Sequence, residues 1–164
     1  MRRPYVVGNW KMNATLAEAR ALVGAIRQSL PKADRVDVGI APPATLLLPM
    51  CKALADSPIR LGAQNVYCEP SGAYTGEISP TMLVDAFCRF VIIGHSERRQ
   101  IFGESGELLR RKVTAAIAAN LAKGEKLEKA VLQAKRYITG AIRKGFAIGS
   151  GHSPVHHFYH FWKN

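Results

Sequence analysis

Cysteine is scarce and scattered in this sequence: Cys51, Cys68 and Cys88 stand apart, with no C-x-x-C pair. That argues against a disulfide framework and a cysteine zinc site, and all three read as free thiols. Long apolar runs are missing too. Nothing approaches the roughly 18 uninterrupted apolar residues of a membrane span. Met1-Arg2-Arg3-Pro4 leads straight into Tyr5-Val6-Val7-Gly8-Asn9-Trp10, without the apolar core of a signal peptide. The expectation is a cytoplasmic protein with no membrane partner. Acidic residues are in short supply, 12 against 23 Lys and Arg, for a net charge of +11. Such a balance raises nucleic acid or another polyanion as a partner. Its distribution weakens that reading, because residues 1–113 carry net +5 and residues 114–164 net +6, scattered along helix faces. No stacking-aromatic motif accompanies the charge, so no nucleic acid is expected and a basic anion-binding module stays only as an alternative.

What is present suits one α/β domain over 1–164, with 48% hydrophobic residues to build a core. Tyr5–Trp10, Val36–Ala41, Ile59–Gln64 and Phe90–Gly94 read as buried parallel strands, being short apolar runs bounded by turn signals. Helical spacing fills the gaps: Leu16, Ala19, Leu22, Val23 and Ile26 after Thr15, then Thr45 to Ala55, then a helix opened by Ser79-Pro80-Thr81. Alternation of this kind means right-handed βα units and a parallel sheet. After the fourth strand it stops. Glu104 to Leu121 reads as one Ala-rich helix, Leu127 to Lys144 as a second, and Gly145 begins a Gly/His/aromatic tail.

The chemistry-bearing residues gather at strand ends. Asn9-Trp10-Lys11-Met12-Asn13 puts a lysine at the carboxyl end of the first strand. Gly94-His95-Ser96-Glu97-Arg98-Arg99 puts a histidine and a glutamate at the carboxyl end of the fourth. Parallel sheets place their active sites at this edge. A lysine there can hold an anion, and a histidine at a helix N-terminus is favoured as neutral imidazole that donates a hydrogen bond to a carbonyl.

Residues 1 to about 113 resemble the first half of the triosephosphate isomerases. The resemblance rests on Gly8-Asn9-Trp10-Lys11-Met12-Asn13, Ala63-Gln64-Asn65, Gly72-Ala73-Tyr74-Thr75-Gly76-Glu77-Ile78-Ser79, and Val91-Ile92-Ile93-Gly94-His95-Ser96-Glu97-Arg98-Arg99 followed by Phe102-Gly103-Glu104-Ser105. It implies half of a (β/α)8 barrel in which Asn9 and Lys11 line the substrate site and Glu97 pairs with Lys11. His95 would polarise a triose carbonyl, a role for which this family is a standard illustration. It further implies a small phosphorylated anion at the Lys11/His95 edge, no cofactor, and a 67–77 loop of the kind that inserts into a partner subunit. A homodimer through that loop or through the sheet edges is the corresponding partner expectation. The family's glutamate base, lid and phosphate loops come from its later units, and their motifs are not found in this sequence.

Residues 114–164 instead resemble the carboxyl terminus of hydroxymethylpyrimidine-phosphate kinases of the ribokinase-like family. The likeness lies in Ala115-Ala116-Ile117-Ala118-Ala119-Asn120 and in Gly151-His152-Ser153-Pro154-Val155-His156-His157-Phe158. That family's Gly-Thr-Gly catalytic turn has no counterpart, since Arg110-Arg111-Lys112-Val113 stands there within a helix, so no kinase activity is expected. The two resemblances together read as an engineered chimera joined near 113–114, with an incomplete active site and no expected catalysis; the alternative is residual triose-phosphate isomerisation or phosphate-ligand binding through Lys11 and His95. In such a chimera the last helices would cover the sheet face opposite the other helices, presenting Leu121, Leu127, Ala130, Val131, Ala134, Tyr137, Ile138 and Ile142. The tail histidines 152, 156, 157 and 160 invite a metal, but no carboxylate lies near them to orient the rings, and no metal is expected.

Overall fold

A computed structural model describes residues 4–30 and 36–121. Four strands, β1 (Tyr5–Asn9), β2 (Asp37–Ala41), β3 (Arg60–Ala63) and β4 (Phe90–Val91), form one sheet in the order β1-β2-β3-β4. Every pairing is parallel, with Tyr5 opposite Asp37, Gly39 opposite Arg60 and Gly62 opposite Phe90. The strands alternate with α1 (Leu16–Ser29), α2 (Leu47–Ala53, entered through a 3-10 turn at Ala44–Leu46) and α3 (Pro80–Asp85). Two helices follow β4 directly, α4 (Ser96–Gln100) and α5 (Gly106–Leu121). The result is the expected four-stranded parallel half-barrel.

Helix starts are chemically marked. Thr15 and Glu18 form a reciprocal capping box, the Thr15 hydroxyl accepting from the Glu18 amide and the Glu18 carboxylate from the Thr15 amide at 2.7 Å. Ser79 caps α3, with Pro80 in its first turn, where no amide donor is missed. Ser105 accepts from the Leu108 amide at 3.1 Å at the start of α5, so that helix begins two residues later than the Glu104 start read from the sequence.

The fourth strand is shorter than expected. The Ile92 amide still reaches the Ala63 carbonyl at 2.8 Å, but β3 ends at Ala63 and offers no further rung. The chain then turns at Gly94, where φ is +73° and an added Cβ would lie 3.1 Å from the Leu109 side chain. Glycine suits both constraints.

Alternation along the strands divides the sheet into two faces. Ile40, Leu61 and Ala63 are buried, with Val38, Val91 and Ile93 packed beside them, against Ala19, Val23, Leu47, Met50 and Leu83 of the helices. This is the core. The other face carries Tyr5, Gly39, Gly62 and Phe90. The Tyr5 and Phe90 rings meet edge to face at 5.6 Å, and a Cβ on Gly62 would fall 2.3 Å from the Phe90 ring. The glycines are therefore a floor on which the two rings lie. Desolvation of its hydroxyl, opposed by Arg60 and reinforced by Asp37, pushes the Tyr5 phenol up to about 12. Yet Tyr5 keeps 41% of its surface in water and Val7 36%.

No helix among the described residues is long and apolar enough to cross a membrane. The helix expected over 127–144, its placement on the second sheet face, and the tail histidines lie outside the described residues.

Candidate active site

At the carboxyl edge of the sheet, β1 leads into a turn that aims Lys11. Its φ is +51°, a left-handed conformation of the kind that costs a non-glycine residue about 1–3 kcal/mol and persists only where the surroundings fix it. Here they do. The Lys11 amide donates to Asn9 Oδ1 at 3.0 Å, and the Lys11 carbonyl accepts from Gln64 Nε2 at 2.8 Å. Gln64 donates equally to the Ala41 carbonyl at 2.8 Å, so one amide ties the ends of β1 and β2 to the residue following β3. The Asn13 side chain closes the turn by donating to the Trp10 carbonyl at 2.8 Å.

The other half of the site comes from the β4–α4 connection. His95 is the N-cap of α4, and its Nδ1 accepts from the Glu97 amide at 3.2 Å. An accepting Nδ1 carries a lone pair, so the proton of the neutral ring sits on Nε2, which is left as a donor. Glu97, in the first turn of α4, receives Lys11 Nζ at 2.6 Å across 86 residues of sequence. Its other oxygen lies 3.6 Å from His95 Nδ1. The hydrogen bond from Lys11, working against desolvation and helped by the charge of Lys11, holds the Glu97 carboxyl below its usual range. Lys11 and Glu97 remain about half exposed, at 52% and 41% of their side-chain surface, and His95 retains 22%.

All four residues anticipated from sequence thus come together, with differing parts. Lys11 and Glu97 form an ion pair, with the neutral His95 ring beside it. Asn9 spends its Oδ1 on the Lys11 amide, so its visible part is to fix the turn that carries the lysine. Two features escaped sequence reading. Gln64 is one, though it stands inside a motif already noted. The other lies just behind the site, where Glu104 receives Lys112 Nζ and, at 2.7 Å, Arg98 Nε, while Lys112 also donates to Asn65 Oδ1 at 2.8 Å. Lys112 and Glu104 keep only 1% and 3% of their side-chain surface. In the sequence Lys112 belongs to a basic triplet that reads as solvated, and only the i+8 spacing to Glu104 hints otherwise. No group of three or more metal-ligating side chains occurs among the described residues.

The chain matches the family model of triosephosphate isomerase over residues 4–151. It belongs to the triosephosphate isomerase family. Among similar proteins, the triosephosphate isomerase of Chloroflexus aurantiacus is 51% identical over 121 residues, covering 74% of this chain and 48% of that protein. That of Syntrophotalea carbinolica is 49% identical over 132 residues, 78% of this chain and 52% of the relative. That of Carboxydothermus hydrogenoformans is 45% identical over 146 residues, 87% and 57%. The chain spans about half the length of these relatives. The triosephosphate isomerase match also runs across the junction expected at 113–114, to residue 151. The comparisons therefore lend no support to a kinase-derived segment or to a chimera, and residues 114–151 fall within the isomerase match.

Proposed function

We propose that the Lys11–His95–Glu97 edge is a binding site for a small phosphorylated carbonyl compound of the triose phosphate class, one that polarises its ligand without efficient turnover. The observation that carries this reading is the joint placement of a half-exposed ammonium and an Nε2–H donor at one sheet edge. An ammonium can hold the anionic ligand and a neutral imidazole can polarise its carbonyl oxygen. Proton abstraction needs a base whose pKa lies near the working pH. Glu97 is a poor one, being hydrogen-bonded to Lys11 and held low. The openness of the pair to water further weakens each electrostatic contact.

The experiment is a 31P NMR titration of the full chain with a triose phosphate, alongside an isomerisation assay, for the parent, Lys11→Ala and His95→Gln. Saturable binding in the millimolar range, about −4 kcal/mol, weakened some tenfold by Lys11→Ala and without measurable turnover, is the expected result. Absence of binding refutes the site. Turnover that disappears with Lys11→Ala refutes the lack of catalysis and establishes residual isomerase activity.

A further inference from the structure

α4 carries half of the site, with His95 at its cap and Glu97 in its first turn, yet its five residues are all polar and none of them is buried. A helix this short does not hold together on its own, and apolar packing cannot anchor it. Arg98 supplies the anchor. Its Nε donates to Glu104 Oε1 at 2.7 Å, and its carbonyl accepts from the Glu104 amide at 3.1 Å. The same Oε1 receives Lys112 Nζ, and Lys112 donates in turn to Asn65 Oδ1 at 2.8 Å. Asn65 is the neighbour of Gln64, whose amide holds the Lys11 carbonyl at 2.8 Å, and Lys11 Nζ meets Glu97 at 2.6 Å. These contacts form a closed circuit that runs from Lys11 through Glu97, Arg98, Glu104, Lys112, Asn65 and Gln64 back to Lys11.

We propose that Asn65, Lys112 and Glu104 are positioning residues, which fix the Lys11 turn against α4 from behind and thereby hold the Lys11–Glu97 pair in place. Two features point beyond a merely structural role. First, the back of the circuit is buried, with Lys112 at 1% and Glu104 at 3% exposure, while Lys11 and Glu97 at its front are about half in water. An exposed pair is weak alone, because two long side chains lose freedom to meet in one geometry. A rigid back reduces that cost by fixing both backbones beforehand. Second, the buried pair is a costly way to gain stability. Glu104 brings both cations to Oε1 and leaves Oε2 buried without a hydrogen bond among the described residues. Packed apolar side chains often serve stability as well as a buried ion pair does, but they could not bond to Arg98 and Asn65 at once. Fixing one arrangement is the use that accounts for the charges. That the Lys11–Glu97 pair serves a ligand rests on the reading above; that it is held from behind does not.

The test is competitive acetylation of the full chain with trace acetic anhydride and no ligand, comparing Lys11 with the exposed Lys52 by peptide mass spectrometry. A Lys11 amine bonded to Glu97 reacts slowly, and a released one faster. Asn65→Ala, at a partly exposed position, opens the circuit while leaving the Lys112–Glu104 pair intact. Glu104→Leu with Lys112→Met opens it at the back. Far-UV circular dichroism establishes that the variants are folded. The expected result is a Lys11-to-Lys52 ratio about threefold above the parent in both, a change within what an exposed ion pair supplies. Asn65→Asp, which keeps the acceptor, should restore the parent ratio. In a Glu97→Gln background Asn65→Ala should change nothing, the pair being already gone. An unchanged ratio in either folded variant overturns the proposal. So does a rise that Asn65→Asp shares or that persists without Glu97, since that is general loosening. Should the double variant not fold, Asn65→Ala decides alone. Failure here leaves the ligand site standing, and failure of the 31P titration leaves the circuit standing.

Discussion

Removing one member of the buried Glu104–Lys112 pair should cost far more than removing both. Glu104 Oε1 accepts from Lys112 and from Arg98, while its Oε2 is buried without a hydrogen bond among the described residues. Lys112 has Glu104 and Asn65 as its partners. Breaking a buried ion pair by deleting one charge costs about 3–5 kcal/mol, because the other is left uncompensated away from water. Lys112→Met leaves Glu104 with Arg98, whose side chain still reaches solvent, so the low end, about 3 kcal/mol, applies. Glu104→Leu leaves a 1%-exposed ammonium facing only an amide oxygen, so the upper end, about 4–5 kcal/mol, applies. The double variant replaces the pair with apolar groups of similar volume, at about 1–2 kcal/mol for the bonds lost by Arg98 and Asn65. Urea unfolding followed by circular dichroism at pH 7 gives all three values. Single costs below about 1 kcal/mol, or a double cost equal to the sum of the singles, would refute the reasoning.

Acid should act through the same group. Desolvation raises the Glu104 carboxyl, but the hydrogen bonds and charges of Lys112 and Arg98 prevail and hold it below the ordinary 4.5. A carboxyl depressed in the folded state contributes stability that is fully present above its unfolded value and is lost as pH falls through the folded one. Urea midpoints should thus be flat between pH 5 and 7 and fall below about 4.5, and a Glu104→Leu variant should show a shallower decline. Gly62→Ala should destabilise by about 1–3 kcal/mol through overpacking against the Phe90 ring. Phe90→Leu in the same chain should recover part of that loss in thermal melts, and no recovery would mean that the ring is not the obstacle.

The half-barrel was legible because each of its elements announces itself locally. The strands are short, mostly apolar runs, and Thr15 and Ser79 mark helix starts by cap chemistry that acts within three residues. The Lys11–His95–Glu97 cluster was legible because strand ends in a parallel sheet share an edge whatever the distance in sequence. Lys112 and Gln64 were not legible for the converse reason. A lysine between Arg111 and Val113 differs from a solvated one only through partners at residues 65 and 104, and local periodicity carries no sign of them. The length of β4 was misread because a strand ends where its neighbour's rungs end, and Ala63 is set by β3, not by the apolar run Phe90–Ile93.

The parts that aim the Lys11–His95–Glu97 cluster all lie within the first four βα units. Asn9 and Gln64 hold the Lys11 turn, Gly94 permits the bend before His95, and the α4 amide of Glu97 sets the imidazole tautomer. These four units therefore supply the geometry. A low dielectric around it is a separate requirement. Two unit charges 4 Å apart attract by about 1 kcal/mol in water and about 4 kcal/mol at the effective dielectric of a protein surface, and Lys11 and Glu97 stand half in water. An aimed but hydrated ammonium binds an anion weakly and stabilises developing charge little better than solvent does. Placement and environment are thus separate requirements, because stabilising developing charge needs surroundings that exclude water as well as side chains correctly aimed.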